Sequence, residues 1–381
     1  MIEPKIKTRI EYLIKDKIND FSPTISPAPK SAERNEIESI SKALEYFKNN
    51  NIDEVVVQKK YMGSYCSIYL KRNILDTYLV SRNGYKINHI DTEKAIQTLV
   101  PLHEKLNTLY PDFDTIIIAS EMLPWRALGR SLIDKEYEAY YAAKKVHYDY
   151  LNSSNLYEKL EKVKNSDTYK EFSNFTTLPT DYPQHIKRQY QAVKDMVIMD
   201  LNDYEKVLNV YRKQLDYFGI DEDVYFKPFN ILKIIYDDKE IIPNSNKTFE
   251  QINDDHYLVC GVDEVDKVYT FYNDLVDNMA EGIVIKPVQS YVKGIVPAFK
   301  VRNDNYLSMI YGINFKQDFE YYFERRNIRL KMQQSINNWD VNNQILNNEY
   351  KSIDENNYLI RLQFLKRIND EEIEKTIDTR L

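Results

Sequence analysis

Glycine is scarce in this chain, at 8 of 381 residues, where average usage of about 7% gives roughly 27. In so Gly-poor a chain, each remaining Gly marks a backbone that a side chain would obstruct. Cysteine is scarcer still. Cys66 and Cys260 alone exclude a disulfide framework and a thiolate zinc site. The five histidines show no metal spacing. No run reaches the roughly 18 uncharged apolar residues of a membrane helix. The opening MIEPKIKTRIEYLIKD is broken by charge throughout, so no signal peptide is expected and the cytoplasm is the default location. The phosphate-loop pattern G-x-x-x-x-G-K-[ST] is also missing.

What remains is globular. Hydrophobic residues make up 43% and charged residues 29% of the chain, a balance found in neither disordered nor fibrous proteins. The length suits two or three modules with sizeable cores. Tyrosine is abundant, at 32, and by itself reflects composition. The net charge of −7 argues against a general nucleic-acid coat protein. It leaves room for an enzyme whose basic residues line one groove. Residues 290–335 gather Lys293, Lys300, Arg302, Lys316, Arg325, Arg326, Arg329 and Lys331 against Asp304, Asp318, Glu320 and Glu324. For the later half of that stretch, a solvated helix face is an equally good account.

The segment PTISPAPK reads as an extended, Pro-rich connector. Ile37, Ile40, Leu44 and Phe47 then recur at helical spacing, which predicts an amphipathic helix over 32–49. Short β-rich runs follow: EVVVQ, CSIYL and DTYLVS, then DTIIIAS at 114–120 after a helix near 92–108. From Ser131 to about Leu215 the chain turns Tyr-, Lys- and Glu-rich and reads as a helical insertion. Strand texture returns at 223–236, 257–262, 281–286 and 296–302, and helices resume after Gly312. The expected fold class is α+β, with a mostly antiparallel sheet. Expected boundaries are a helical N-terminal module at 1–50, a core in two parts at 51–130 and 221–315, the insertion at 131–220, and a helical C-terminal module at 316–381.

Gly63, Gly84, Gly282, Gly294 and Gly312 lie in or beside segments that mix charge with buried-strand texture. That mixture is costly unless the charges are paired or functional. VVVQKKYMGSY ends an apolar strand on lysine, with Gly63 three residues after Lys60. SRNG is a turn presenting Arg82, and IIIASEMLPW ends a strand at Glu121. EGIVIK carries Glu281 and Lys286. AFKVR carries Lys300 and Arg302 two apart, which puts both cations on one strand face. In this order the segments resemble motifs I, Ia, III, IV and V of the covalent nucleotidyltransferases, the superfamily of DNA ligases, RNA ligases and mRNA capping enzymes. Together with KPFNIL, EGIVIKP, VPAFKVRNDNYLSMIYG and the terminal TIDTRL, they look like the ligase module of bacterial polynucleotide kinase-phosphatase-ligase. The resemblance runs over nearly the whole chain. A lone K-x-x-G is common, whereas the ordered set is specific.

That resemblance implies an ATP-grasp-like DNA/RNA ligase core and a chemistry. Lys60 is the implied nucleophile, its amine attacking the α-phosphorus of ATP to leave AMP on the lysine. An ordinary lysine pKa of about 10.4 must fall for that attack. Lys286, Lys300 and Arg302 are candidate sources of the cationic field and of α-phosphate contacts. Arg82 and Glu121 match the family's ribose and phosphate contacts, and Phe229 matches an adenine-stacking ring. Glu281 matches the residue that binds Mg²⁺ (or Mn²⁺), directly or through water.

Each residue also has a plainer reading. Lys60 is then a solvated strand end, Glu121 a buried salt bridge, Glu281 a surface carboxylate and Phe229 core packing. Lys286 falls on the opposite sheet face unless its strand begins after Glu281. Arg126 and Arg130 either border an RNA groove or are surface charges, and Tyr140, Tyr141 and Tyr148 read as insertion core. Two positions depart from the family pattern. Tyr65 stands where relatives continue K-x-x-G-S with Arg, and Asn230 where they tend to carry His.

The implied function is ATP-dependent ligation of RNA ends in RNA repair, with no membrane association. Because the phosphate loop is missing, end healing is expected from separate kinase and phosphatase proteins. By the same resemblance, a 3′-terminal ribose 2′-O-methyltransferase is an expected partner. DNA ligases and guanylyltransferases of the superfamily normally follow motif V with a small β-barrel, and the helical tail here favours the RNA-ligase side. The alternative from another class is a non-catalytic scaffold that binds nucleotide or RNA, with Tyr65 its best support.

Overall fold

A computed structural model describes residues 4–20, 24–127, 133–174, 183–195, 200–217, 223–278, 280–350, 361–362 and 365. Gly129, Arg130 and the terminal TIDTRL lie outside the described residues. The strands among them are β1 (Ser26–Pro27), β2 (Glu54–Lys60), β3 (Ser64–Lys71), β4 (Tyr78–Ser81), β5 (Thr115–Leu123), β6 (Tyr225–Ile235), β7 (Glu240–Ile241), β8 (Tyr257–Gly261), β9 (Gly282–Pro287) and β10 (Phe299–Arg302). They form two five-stranded sheets, in the orders β1-β10-β9-β2-β8 and β4-β3-β5-β6-β7. The class is α+β, and every pairing is antiparallel except the short parallel pair of β1 and β10.

Alternation along β2 decides how the first sheet is dressed. Val55 and Val57 face a core with Ile283, Ile285, Phe299 and Val301. The helices Ile40–Asn49 and Val265–Asp277 bring Ala43, Leu44, Phe47, Val268 and Phe271 to that core. Registered residues of paired strands share a face. The other face of β2, β9 and β10 therefore carries Gln58, Lys60, Val284, Lys286, Lys300 and Arg302. One face is apolar and helix-covered, while the other concentrates polar and cationic groups.

In the second sheet, Cys66, Ile68 and Leu70 of β3 alternate with Ser67 and Tyr69. The first set joins Ile116, Ile118, Ile231 and Ile234 in one core. The second face carries Tyr69, Ile117, Ala119 and Leu232, covered by Ile10 and Leu13 of the helix Pro4–Lys15 and by Trp339, Val341 and Ile345 of the helix Arg329–Leu346. Burial on both faces explains why TIIIAS is an unbroken apolar run.

Two expectations shift. The helix predicted from 32 begins at Ile40, because Ser31 and Glu36 exchange two backbone hydrogen bonds and close residues 31–36 into a turn. Ile37 is buried nonetheless, ahead of the helix. The helix predicted near 92–108 is two, Thr92–Gln97 and Val100–Leu109, with Pro101 at the start of the second, where its missing N–H costs nothing.

The chain divides into two compact units. One comprises Met1–Arg130, Phe218–Asn303 and Glu320–Leu381, and the other Ser131–Tyr217 with Asp304–Phe319. The N-terminal helix and the helix Arg329–Leu346 thus share a unit with the sheets, and residues 304–319 group with the insertion. The second unit is helical and centred on Leu151, Tyr204, Leu208 and Ile313, with Tyr140, Tyr141 and Tyr148 packed around them. The Tyr140 hydroxyl accepts a hydrogen bond from the Ile313 backbone at 3.1 Å.

Gly282 pairs with Lys60 on one side and Arg302 on the other. A Cβ there would lie 2.0 Å from the Val301 carbonyl oxygen, far inside van der Waals contact. Gly282→Ala is therefore expected to force β9 and β10 apart and cost about 2 kcal/mol or more. Thermal melting of the full chain checks this, and an unchanged midpoint would contradict the close approach.

Candidate active site

The strand β2 ends on Lys60, and the chain crosses to the second sheet through Tyr61, Met62 and Gly63. Tyr61 anchors the crossing, since its buried hydroxyl donates to Asp255 at 2.8 Å and accepts from the Asn253 amide at 3.0 Å. Gly63 passes hard against β5. A Cβ on it would meet the Met122 carbonyl oxygen at 2.4 Å and the Glu121 Cγ at 2.8 Å. That contact lets the Gly63 N–H donate to Glu121 Oε1 at 3.0 Å. The glycine of K-x-x-G thereby ties the two sheets together at the lysine.

Lys60 Nζ lies 2.7 Å from Glu281 Oε2 in a pair whose side chains are 20% and 1% exposed. The Glu281 backbone is clamped. Its carbonyl accepts from the Asn303 backbone at 2.9 Å and from the Asn303 amide at 2.8 Å, and the same amide donates to the Ala280 carbonyl. Glu121 is the third member of the group. Burial pushes its carboxyl up to about 7, with Glu281 adding repulsion and Lys60, the Gly63 N–H and Arg82 opposing the rise. Arg82 itself donates to Thr24 Oγ1 at 3.3 Å, which also accepts from Asn338. Lys286, Lys300 and Arg302 share the sheet face of the lysine. Its direct partner is an anion.

A second cluster sits on the same polar face. The strand β9 begins at Gly282, so Lys286 faces the same way as Lys60, the outcome that required the strand to start after the glutamate. Its ammonium lies 5.0 Å above the Phe229 ring, and burial alone drives it down to about 7. Phe229 falls at a register break of β6, where Ser120 pairs with Pro228 and Ala119 with Asn230. As the extra residue of a bulge its direction is released from strict alternation. Tyr65 packs 6.1 Å from that ring. Its hydroxyl lies 3.2 Å from the Ser67 hydroxyl, and Ser67 donates to the buried Asp20 at 2.5 Å. The Tyr65 position thus belongs to a buried hydroxyl–carboxyl group, and Asn230 is held by Thr248 at 3.2 Å.

Lys300 and Arg302 share the face of Lys60, as their spacing predicts, but the Arg302 guanidinium is gripped by the buried Glu38. Strand register relates Arg302 to Lys60. Arg126 is partly buried beside the SEMLPW strand end. Reading the sequence missed Glu38, Asn303, Asp20 and Gln58. Gln58 lies two residues before Lys60 on the same face, and its buried amide nitrogen has no hydrogen-bond partner among the described residues. The alternation of VVVQKK was enough to find Gln58, whereas no local pattern marks the other three.

The residues also test the implied divalent metal. Glu281 Oε1 is buried with no hydrogen-bond partner among the described residues, and a like charge faces it from Glu121. A cation would satisfy the first and relieve the second. The described residues contain no group of three or more His, Cys, Asp or Glu side chains that could form a protein cage. The donor set therefore fits Mg²⁺, which keeps several waters and takes one or two carboxylates.

The sequence matches the family described as PNKP adenylyltransferase domain, ligase domain, over residues 15–352. The chain belongs to that family, a class of adenylyltransferase-type ligase modules. Two solved structures are similar over 97% of this chain and 97% of theirs. A chain of the "Pnkp1/Rnl/Hen1 complex" is 42% identical with a TM-score of 0.88. A chain of the "Pnkp1/Rnl/Hen1 RNA repair complex" is 43% identical with a TM-score of 0.89. Among curated proteins no match was found.

Because its pKa is raised in the folded state, Glu121 favours the native protein at low pH. That contribution is complete below its ordinary 4.5 and is lost as pH rises to about 7. Without nucleotide or metal, the melting temperature of the native chain should fall more across this window than that of Glu121→Gln. Parallel curves for the two proteins would contradict the assignment.

Proposed function

We propose that this chain is an ATP-dependent RNA ligase of RNA repair that works through a lysyl-AMP intermediate. The observation that carries the reading is the meeting of Lys60, Glu121 and Glu281, from three distant segments, at one point between the sheets. Lys60 Nζ forms the bond to the α-phosphorus of ATP as the bond to pyrophosphate breaks. AMP then passes to an RNA 5′-phosphate, and the 3′-hydroxyl attacks that phosphate as AMP departs. Such reactions depend mostly on positioning and charge stabilisation.

The geometry supports the following roles. While Lys60 Nζ stays 2.7 Å from Glu281 Oε2 it is held by that carboxylate, so the pair must part before attack. Glu281 would hold Mg²⁺ (or Mn²⁺), with Glu121 near, and the metal would supply charge neutralisation at the phosphates. Lys286, Lys300 and Arg302 line the same face for phosphate, Arg82 adjoins Glu121, and Phe229 with Lys286 above it offers a stacking surface for adenine. The core would comprise 51–130 and 221–315, with flanking and inserted helical modules.

RNA ends are the substrate. The likeness to chains of the Pnkp1/Rnl/Hen1 RNA repair complex supports partnership with a separate kinase-phosphatase and a 2′-O-methyltransferase. No helix among the described residues is long and apolar enough to cross a membrane, and two free, buried cysteines suit the cytoplasm.

The scaffold reading rests on Tyr65, whose phenol is tied to Ser67 and Asp20. It leaves Lys60, Glu121 and Glu281 assembled without a purpose. Incubation with α-labelled ATP or GTP and Mg²⁺ separates the readings. The expected result is a covalent label from ATP that disappears in Lys60→Ala. A label from neither nucleotide, or one that survives Lys60→Ala, would overturn the mechanism.

A further inference from the structure

Glu38 lies outside every motif that suggested the function, just ahead of the helix Ile40–Asn49, yet its side chain is fully buried. A buried anion is unfavourable unless cations and hydrogen bonds surround it. Glu38 is surrounded. Its Oε2 accepts from the Arg302 backbone N–H at 2.8 Å, and the Arg302 Nε lies 3.2 Å from both oxygens. Arg302 Nη2 donates to Oε1 at 2.5 Å, and Arg326 Nη2 donates to the same oxygen at 2.7 Å. Burial pushes the carboxyl up, but Arg302, Arg326 and Lys300 outweigh it and hold the group down at about 2.

Two features separate this arrangement from an ordinary structural ion pair. The same carboxylate grips both the backbone and the side chain of Arg302, so it fixes the end of β10 and the direction of the guanidinium together. Three cations also face a single anion, so the group orients Arg302 without cancelling the positive charge of the face. Arg302, Gly282 and Lys60 form one cross-strand row. The next residue, Asn303, clamps the Glu281 backbone. A shift at Arg302 would therefore reach both members of the Lys60–Glu281 pair.

We propose that Glu38 is a positioning residue for nucleotidyl transfer, setting Arg302 and the end of β10 in line with Lys60 while leaving the cluster cationic for phosphate. The inference rests on the reading of this face as the nucleotidyl-transfer centre.

The test is single-turnover formation of the protein–AMP adduct, with amplitude and rate constant measured separately at several ATP concentrations. The proteins are the native chain, Glu38→Gln, Glu38→Asp, Arg302→Lys and the Glu38→Gln/Arg302→Lys pair. A merely structural role lowers the amplitude, the fraction of competent protein, and leaves the rate constant of that fraction alone. The positioning role predicts a rate constant about tenfold or more lower in Glu38→Gln, partly recovered in Glu38→Asp, which keeps the charge. It also predicts that the double variant is no slower than Arg302→Lys alone, because Glu38 acts through Arg302. If Glu38→Gln does not fold, Glu38→Asp and its pair with Arg302→Lys carry the same comparison. An unchanged rate constant, or additive losses in the double variant, would overturn the inference. Absence of adduct in the native chain would instead remove the functional reading on which it rests.

Discussion

The antiparallel register of β2 against β9 is the constraint on which the site depends. It sets Lys60 opposite Gly282 and, through β10, in line with Arg302. A slip of β2 by one residue would send Gln58 and Lys60 into the apolar core and bring Val55 and Val57 to the phosphate side. The helix-covered core of Val55, Val57, Ile283, Ile285 and Phe299 makes that slip prohibitive. The chemistry of one face is thus held in place by the hydrophobicity of the other.

The glycines act at the points where this register meets the second sheet. Gly282 lets β10 approach within a distance no Cβ permits, and Gly63 does the same where the chain crosses to β5. Between them they bring Glu281 and Glu121 into the group around Lys60. Burial, with repulsion from Glu281 added, raises Glu121, and Glu281 keeps a buried, unsatisfied oxygen; together they describe a site prepared for positive charge.

Much of this was legible in the sequence because it is local. Alternation in EVVVQKK and AFKVR gives the faces, and the ordered motifs point to the family. The strand positions follow from apolar runs bounded by polar turns. What stayed hidden is long-range or depends on an exact boundary. Glu38 meets Arg302 across 264 positions, and nothing around SAERNEIES marks that carboxylate as buried. The direction of Lys286 turned on whether β9 begins at Glu281 or Gly282, a difference of one residue. Phe229 sits in a bulge that pairing alone creates. The helix expected at 32 starts later because a backbone bridge between Ser31 and Glu36 outcompetes it, which apolar spacing cannot foretell.

The central claim is that the row through Lys60 is a nucleotidyl-transfer centre with the lysine as its covalent acceptor. Intact-mass analysis followed by peptide mapping, after exposure of the native chain to ATP and Mg²⁺, tests it most directly. The account predicts a mass gain of one AMP, confined to the peptide that carries Lys60. No gain, or AMP on any other residue, would contradict it.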